Sequence, residues 1–409
     1  MSAPRGMRLQ IGLFGRRNAG KSSLFNRLLH QDVAIVSEVP GTTTDPVERP
    51  MELQPIGPVQ FIDTAGLDDV GALGAKRAAK SLAVLERVDV AILVADAWGL
   101  EEKERVVGFA AKKTPLVIAC TKADRRAERM LEQEAREAGY GEVVTVSAVD
   151  GTGMSRLREA LIRAAPEDFL TPSTIIGDLV RPGEMVVLVV PIDKEAPRGR
   201  LILPQVQVLR DILDQDACGV VVKERELAPM LKELAHPPAL VVTDSQAFMK
   251  VAADTPRNVP MTSFSILFAR FKGDLFPMAQ GAFSLLNLKP GSRVLMAEAC
   301  THHAICDDIG RVKIPRWLEQ SVGGKVEIVI APGRDFPDDV KGFNLVIHCG
   351  GCMLTRREML IRIERAKEAG IAITNYGLAI AACLGILDRA LEPFPAVTER
   401  LRGWVGVSP

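Results

Sequence analysis

Two sets of residues in this 409-residue chain have types and spacings suited to chemistry. The first is Gly15-Arg16-Arg17-Asn18-Ala19-Gly20-Lys21-Ser22-Ser23, which contains a complete GxxxxGK[ST] pattern. Such a loop wraps backbone N–H groups around the α- and β-phosphates of a nucleotide, with Lys21 reaching the β- and γ-oxygens and Ser22 giving an oxygen to Mg²⁺. The remaining parts of a guanine-nucleotide switch follow in order. A threonine hydroxyl of Gly41-Thr42-Thr43-Thr44 would complete the Mg²⁺ shell from a loop, and in Asp63-Thr64-Ala65-Gly66 the carboxylate of Asp63 would hold Mg²⁺ through water while the Gly66 N–H senses the γ-phosphate. Thr121-Lys122-Ala123-Asp124 is a [NT]KxD pattern whose Asp124 can accept from both N1–H and the N2 amino group of guanine, which specifies GTP over ATP. A backbone N–H at Ser147-Ala148 would meet guanine O6. Leu67 stands where many small GTPases place a water-orienting glutamine, so turnover is expected to be slow without another source of charge.

The second set is His348-Cys349-Gly350-Gly351-Cys352 together with Cys300-Thr301-His302, which lies 45 residues upstream. Three thiolates suit a [4Fe–4S] cube whose fourth iron stays open to an exchangeable ligand; three thiolates and a histidine equally suit tetrahedral zinc. Spacing does not choose between them. His302, His303 and His348 are candidate ligands, and a histidine beside a cysteine ligand also serves by hydrogen bonding from outside the coordination sphere. Asp193 is a further carboxylate that could reach such a site.

Each motif lies where an apolar run of strand length gives way to a polar turn. Leu9–Phe14 precedes the phosphate loop and an amphipathic helix over Ser23–Leu29 follows it; Phe61–Ile62 ends at Asp63, Leu116–Ala119 at Thr121 and Val143–Val146 at Ser147. Ser292–Ala297 delivers Cys300, and Leu345–Ile347 delivers the HCxxC turn ahead of a helix over Arg356–Ala369. Ligands collect outside the carboxyl ends of neighbouring strands in open α/β sheets, so two such ends side by side make one site from distant segments. Ile371–Thr374 is another strand, and Asn375-Tyr376-Gly377 would line the same face.

Strands and helices alternate throughout, an α/β pattern. Residues 1–168 read as a P-loop GTPase domain closed by Glu159–Ala165, with Pro166–Pro172 as a linker. Residues 169–262 form a small α/β unit, with strands over Met185–Pro191, Gly219–Val222 and Ala239–Thr243 and helices over Leu203–Asp214 and Leu227–Leu234; it lacks a catalytic cluster and is expected to be a dimerisation domain. Residues 263–409, entered through the Phe-rich Phe264–Phe276, form the α/β domain that carries the sulfur ligands. Lys+Arg and Asp+Glu balance at 51 each, so no global basic field recruits nucleic acid or membrane. The Met1–Leu9 segment lacks a signal-peptide core, and a cytoplasmic protein is expected. In that reducing setting seven cysteines argue for ligands or core residues; Cys120, Cys218 and Cys383, in apolar stretches, are expected to be buried, and Cys306 is unassigned.

The loop Gly15-Arg16-Arg17-Asn18-Ala19-Gly20-Lys21-Ser22-Ser23-Leu24 resembles that of the tRNA-modifying MnmE/TrmE GTPases. The resemblance implies that Asn18 helps to hold a K⁺ ion against the phosphates and that Thr43 is the Mg²⁺-sensing threonine, giving a potassium-stimulated GTPase. With the CxH…HCxxC pair added, nearly the whole chain resembles the HydF family of [FeFe]-hydrogenase maturation GTPases. That likeness implies a homodimer in which Cys300, Cys349 and Cys352 bind a [4Fe–4S] cluster, with a histidine, a carboxylate or cargo on the fourth iron. It also implies a scaffold that receives a transient diiron subcluster from the radical-SAM maturases HydE and HydG and passes it to apo-hydrogenase, HydA. The competing readings are an RNA- or ribosome-associated GTPase of the MnmE, Der or Era kind, and a GTPase stapled by structural zinc.

Overall fold

A computed structural model of the chain describes residues 4–30, 47–64, 84–124, 129–170, 174–191, 201–299, 308–333 and 335–405. Thr43, Gly66, Leu67, Asp193, Cys300, His302, His303 and Cys306 lie outside the described residues. The chain divides into two compact units, Met1–Pro172 and Ser173–Pro409.

The first unit holds a six-stranded sheet in the order β2-β3-β1-β4-β5-β6, formed by β1 (Leu9–Phe14), β2 (Val47–Leu53), β3 (Gly57–Asp63), β4 (Val90–Ala95), β5 (Leu116–Cys120) and β6 (Glu142–Thr145). β1 lies between β3 and β4 and is buried along all six residues, which is why it reads as an apolar run interrupted only by Gln10. Its alternate side chains feed two cores: Leu9, Ile11 and Leu13 join Leu24, Leu157 and Leu161 on one face, and Phe14 joins Val106 and Phe109 on the other. Only β2 runs antiparallel; it is a mostly exposed edge that no apolar periodicity announced. The expected linker over Pro166–Pro172 contains a short helix, Glu167–Leu170.

The second unit contains two four-stranded sheets, both wholly parallel. One has the order β10-β9-β7-β8, from β7 (Met185–Val189), β8 (Cys218–Val222), β9 (Leu240–Thr243) and β10 (Met261–Ser263). The other has the order β12-β11-β13-β14, from β11 (Arg293–Ala297), β12 (Glu327–Ala331), β13 (Leu345–His348) and β14 (Ala372–Asn375). A single apolar core runs beneath both sheets, and β10 crosses the boundary expected between residues 262 and 263. β12 was not foreseen; its Glu327 start and half-exposed side chains belong to an edge strand. Gly281 lets the helix Leu275–Leu285 lie directly on β14, since a Cβ there would come to 2.0 Å from the Ile373 carbonyl oxygen. Cys218 corrects its expectation: it starts the edge strand β8 and is exposed, whereas Cys120 in central β5 is buried and Cys383 half-buried. The apolar run around Cys218 reflects strand propensity at an edge, where one side of the backbone has no neighbour. Among the described residues no helix is long and apolar enough to cross a membrane.

Candidate functional site

The phosphate loop bridges β1 and the helix Lys21–His30. Asn18 and Gly20 adopt φ of 62° and 98°, and Gly15 sits so close to β4 that a Cβ would lie 2.2 Å from the Val94 carbonyl oxygen. A side chain at Gly15 would therefore push the loop away from the sheet. Lys21 is buried and donates from Nζ to the carbonyls of Gly15 (2.9 Å) and Arg16 (2.6 Å), inside the loop that would receive phosphate oxygens. Ser22 Oγ donates to Asp63 Oδ2 at 2.9 Å, so the two expected Mg²⁺ partners already face one another. Asp63 Oδ1 is buried with no hydrogen-bond partner, and burial raises the carboxyl's pKa against the opposing pull of Ser22 and Lys21. A buried carboxylate oxygen left in this state fits a site completed by a divalent cation.

The base-recognition end is tied to the same loop. Thr121 Oγ1 donates to the Ala19 carbonyl at 2.6 Å, and Lys122, at φ 62°, reaches Asp96 from Nζ at 2.5 Å. Ser147 Oγ donates to Asp124 Oδ1 at 3.2 Å, while the Ser147 N–H is taken by the Thr152 carbonyl. Ser147 thus orients Asp124. Ala148 follows on the same turn, Ser23 is exposed on the first helical turn beside Ser22, and Arg16 holds the loop to Glu102 of the helix Leu100–Ala111 at 2.6 Å.

The sulfur site lies on the β12-β11-β13-β14 sheet. β11 leads to β12 on one side and the chain then returns to β13 on the other, so the crevice between the ends of β11 and β13 is the topological switch point. Ala297 pairs in register with His348, and His348 with Asn375. Beyond the ends, the Ala299 N–H donates to Cys349 Sγ at 3.1 Å, which brings the residue preceding Cys300 against a thiol 50 positions away in sequence. Glu298, 4% exposed, ion-pairs with Arg311 at 2.7 Å, so the residues on either side of 300–307 are joined.

The HCxxC turn is held on several sides. Gly351 is at φ 61°, whereas Gly350 faces open space. Thr355 caps the helix Arg356–Glu368 with a reciprocal bond to Glu358, so Cys352 lies three residues ahead of a helix N-terminus. Burial raises the pKa of Cys349, and N–H donors from Gly351 and Ala299 pull it down. Lys272, 2% exposed, donates from Nζ to the carbonyls of Gly351 (3.3 Å), Cys352 (3.0 Å) and Leu354 (2.6 Å). Burial lowers its ammonium to about 8, and the Cys352 thiol, Glu358 and the Cys349 thiol pull it back. N–H donors to sulfur, a helix N-terminus and a buried cation all favour thiolate over thiol, so this donor set fits an anionic, sulfur-held group.

His348 departs from its expectation as a ligand. Its side chain is fully buried; Nδ1 donates to the Cys349 carbonyl at 2.7 Å, and Nε2 accepts from Arg362 Nη1 at 2.8 Å. Arginine can only donate, so this tautomer is fixed and both ring nitrogens are engaged. Among the described residues no three His, Cys, Asp or Glu side chains converge as a metal site; of the expected cysteine ligands, Cys349 and Cys352 are described and Cys300 is not. Asn375 also turns away from the sulfurs, bonding to Ser265 at 2.7 Å and capping the helix Tyr376–Cys383.

Lys272 and Arg362 went unnoticed in the sequence although each carries a signal. Lys272 falls four residues after buried Phe268 and Arg362 three after buried Met359, both on the apolar stripe of their helix.

The family model for the hydrogen maturase F dimerization domain matches residues 175–273, that for its tetramerization domain matches 276–393, and that for a 50S ribosome-binding GTPase matches 10–122. Among curated proteins, GTPase Der of Kosmotoga olearia is 34% identical over 188 residues, covering 42% of this chain and 42% of that protein. The tRNA modification GTPase MnmE of Nitrosomonas europaea is 34% identical over 160 residues, covering 38% of this chain and 35% of that one. The chain thus spans about two fifths of the length of these relatives. Among solved structures, the G domain of the T. maritima FeoB iron transporter is 27% identical with a TM-score of 0.31, covering 38% of this chain and 98% of that one. Era of Aquifex aeolicus bound to GDP and AlF4⁻ is 18% identical with a TM-score of 0.32, covering 56% and 98%.

Proposed function

The chain belongs to the hydrogen maturase F family, and from that premise we propose that it hydrolyses GTP and serves as a scaffold and carrier in the maturation of [FeFe]-hydrogenase. It would hold a resident [4Fe–4S] cluster through Cys300, Cys349 and Cys352, receive a diiron subcluster supplied by HydE and HydG, and deliver it to HydA. The contact that carries this reading is Ala299 N–H to Cys349 Sγ, 3.1 Å, which sets the residue that precedes Cys300 in the sequence against the HCxxC turn. When bound, the cluster supplies an open iron to which cargo can attach. The protein's own residues place the thiolates, donate N–H groups to sulfur and shield one side of the turn. Because both nitrogens of His348 are engaged, His348 acts from outside the coordination sphere, fixing the turn through Cys349, and the fourth position falls to a group elsewhere: His302, Asp193 or the cargo.

In the first unit, GTP binding exchanges the Lys21 bonds to loop carbonyls for bonds to phosphate. Ser22 and Thr43 would hold Mg²⁺, with Asp63 reaching it through water, Gly66 would read the γ-phosphate, and Thr121, Lys122, Asp124 and Ala148 would hold guanine. Asn18 would bring K⁺ to the phosphates; hydrolysis at equal rates in potassium and sodium would remove that role. The second unit supplies oligomeric contacts, in keeping with the dimerization and tetramerization domains it matches, and the expected homodimer is its simplest form.

The similarity to Der and MnmE involves about two fifths of the chain, and an RNA-associated reading has no counterpart in the matches to 175–273 and 276–393. A zinc staple of three cysteines and a histidine loses His348 as its histidine. The deciding experiment is activation of apo-hydrogenase by anaerobically reconstituted, cargo-loaded protein. Wild type should activate, and Cys349→Ala should bind GTP normally yet fail. Equal activation by both removes the sulfur site from the mechanism, and a colourless wild-type preparation containing only zinc favours the staple.

A further inference from the structure

Lys272 is a costly residue to place where it is. An ammonium carries three N–H donors, and here all three go to carbonyls of one short stretch, residues 351–354, while the side chain is 2% exposed. Carbonyl dipoles solvate a buried cation without neutralising it, and burying an uncompensated charge is far more expensive than burying a hydrogen-bonded neutral group. Among the described residues, the charged side chains bonded around this turn are Lys272, Arg356, Arg362 and Glu358. Arg356 closes the helix Phe264–Lys272 through the Phe271 and Gly273 carbonyls, Arg362 serves His348, and Glu358 completes the Thr355 cap. The groups that act on the Lys272 ammonium at this turn are the thiols of Cys352 and Cys349 and the carboxylate of Glu358.

From this placement we infer that Lys272 is a positioning residue for the sulfur-held centre, its ammonium pinning the Cys352 turn and acting as fixed counter-charge to the thiolates of Cys349 and Cys352. The inference rests on the cluster reading above. Net charge and hydrogen bonding around the sulfurs set a cluster's reduction potential, and groups just outside the ligands set how firmly it is held. A neutral side chain at 272 makes the reduced, more negative cluster harder to form. A role limited to packing would leave the potential alone.

The test uses the full-length chain, anaerobically reconstituted with iron and sulfide, as wild type, Lys272→Met, Lys272→Gln and Lys272→Arg. The two neutral variants should show a midpoint potential more negative than wild type by redox titration, and should lose iron to a chelator roughly tenfold faster. Lys272→Arg, which keeps the charge, should return the potential and the iron-loss rate towards wild type. GTP turnover should be the same in all four and serves as the folding control. Neutral variants that load a cluster at the wild-type potential overturn the inference while leaving the cluster reading intact. If the neutral variants hold no cluster, the arginine variant decides: recovery of the cluster supports a charge role, and failure to recover overturns it. Wild-type protein that takes up no iron and sulfide overturns the cluster reading itself, and this inference with it.

Discussion

The nucleotide site and the sulfur site use the same architectural device, turns at the carboxyl ends of parallel strands, but hold their charges in opposite ways. In the nucleotide site polar groups steady one another in pairs, each with at least one member partly open to solvent: Ser22 with Asp63, Ser147 with Asp124, Lys122 with Asp96. In the sulfur site the charges are sealed. The neutral His348 and the cations Arg362 and Lys272 are buried, and Lys272 reaches the turn from a helix 80 positions away in sequence. The difference is in keeping with the ligands proposed for the two sites. A nucleotide that enters and leaves each cycle needs groups that can exchange protein partners for ligand, whereas a resident group is held by charges that never meet water.

The largest effect should come from breaking the open site at its most exposed specificity group. Asp124→Asn removes the charged acceptor for guanine N1–H and N2 and leaves an amide that can donate to the 2-oxo group of xanthine. Two hydrogen bonds to a charged group at about 1.5–3 kcal/mol each predict a loss of roughly 10²–10⁴ in GTP affinity. XTP binding should rise in the same variant, measured by calorimetry, and iron content should not change. A variant that still prefers GTP would mean that the open site does not read its base through Asp124.

The sealed site should respond instead to acid. Burial, and then the neighbouring Arg362, push His348 down to about 3 from an ordinary 6.5, with the Cys349 carbonyl pulling weakly the other way. The unfolded chain takes up this proton near pH 6.5 and the folded chain only near pH 3. The stabilising effect is therefore complete above pH 6.5 and erodes as pH falls through that window, by on the order of 4 kcal/mol in total. Urea unfolding of the metal-free protein at pH 7 and pH 4 should show the loss, and His348→Phe should flatten the slope even though its absolute stability drops. An unchanged slope would show that the ring is not sealed.

The same contrast explains what could be read from the sequence. Of the nucleotide motifs, the loop 15–22, Asp63 and Thr121–Asp124 stand at the strand ends expected for them because each is contiguous and follows an apolar strand, whereas Thr43 and Gly66 lie outside the described residues; β1 begins and ends as expected. The sulfur site was legible only where it too is contiguous, at His348–Cys352 and the end of β11. Its supporting cations were not, because Lys272 and Arg362 reach the turn through tertiary packing that sequence spacing does not encode. His348 looked like a ligand because proximity to Cys349 says nothing about where its nitrogens point. Cys218 looked buried because edge and central strands share the same β-rich composition.

The two glycines of the HCxxC turn sharpen the comparison further, since the sequence treats them as equivalent and the structure does not. Gly351 has φ 61°, and a Cβ would meet Met359 Cε at 2.5 Å; Gly350 has nothing within 4 Å. Gly351→Ala should cost about 1–2 kcal/mol from left-handed backbone alone. Gly350→Ala should be neutral within about 0.5 kcal/mol, as at an ordinary surface position. Thermal unfolding of the two variants measures the gap, and equal destabilisation would contradict the turn described here.

A small effect should also be found in the ion pair that most resembles a buried one within the open site. Arg16 meets Glu102, whose side chain is 2% exposed, at 2.6 Å, and that carboxylate looks as dependent on its partner as any in the sulfur site. Two features argue otherwise. The Arg16 side chain is itself 34% exposed, so water screens the pair, and Glu102 keeps a second donor, the Gly99 N–H at 3.0 Å, when arginine is removed. Arg16→Met should therefore lower the stability of the first unit by only about 1 kcal/mol, and GTP affinity by no more than a few-fold. Chemical unfolding and nucleotide titration of the variant measure both. A loss as large as that expected for the sealed charges would place Arg16 with them and erase the distinction between the two sites.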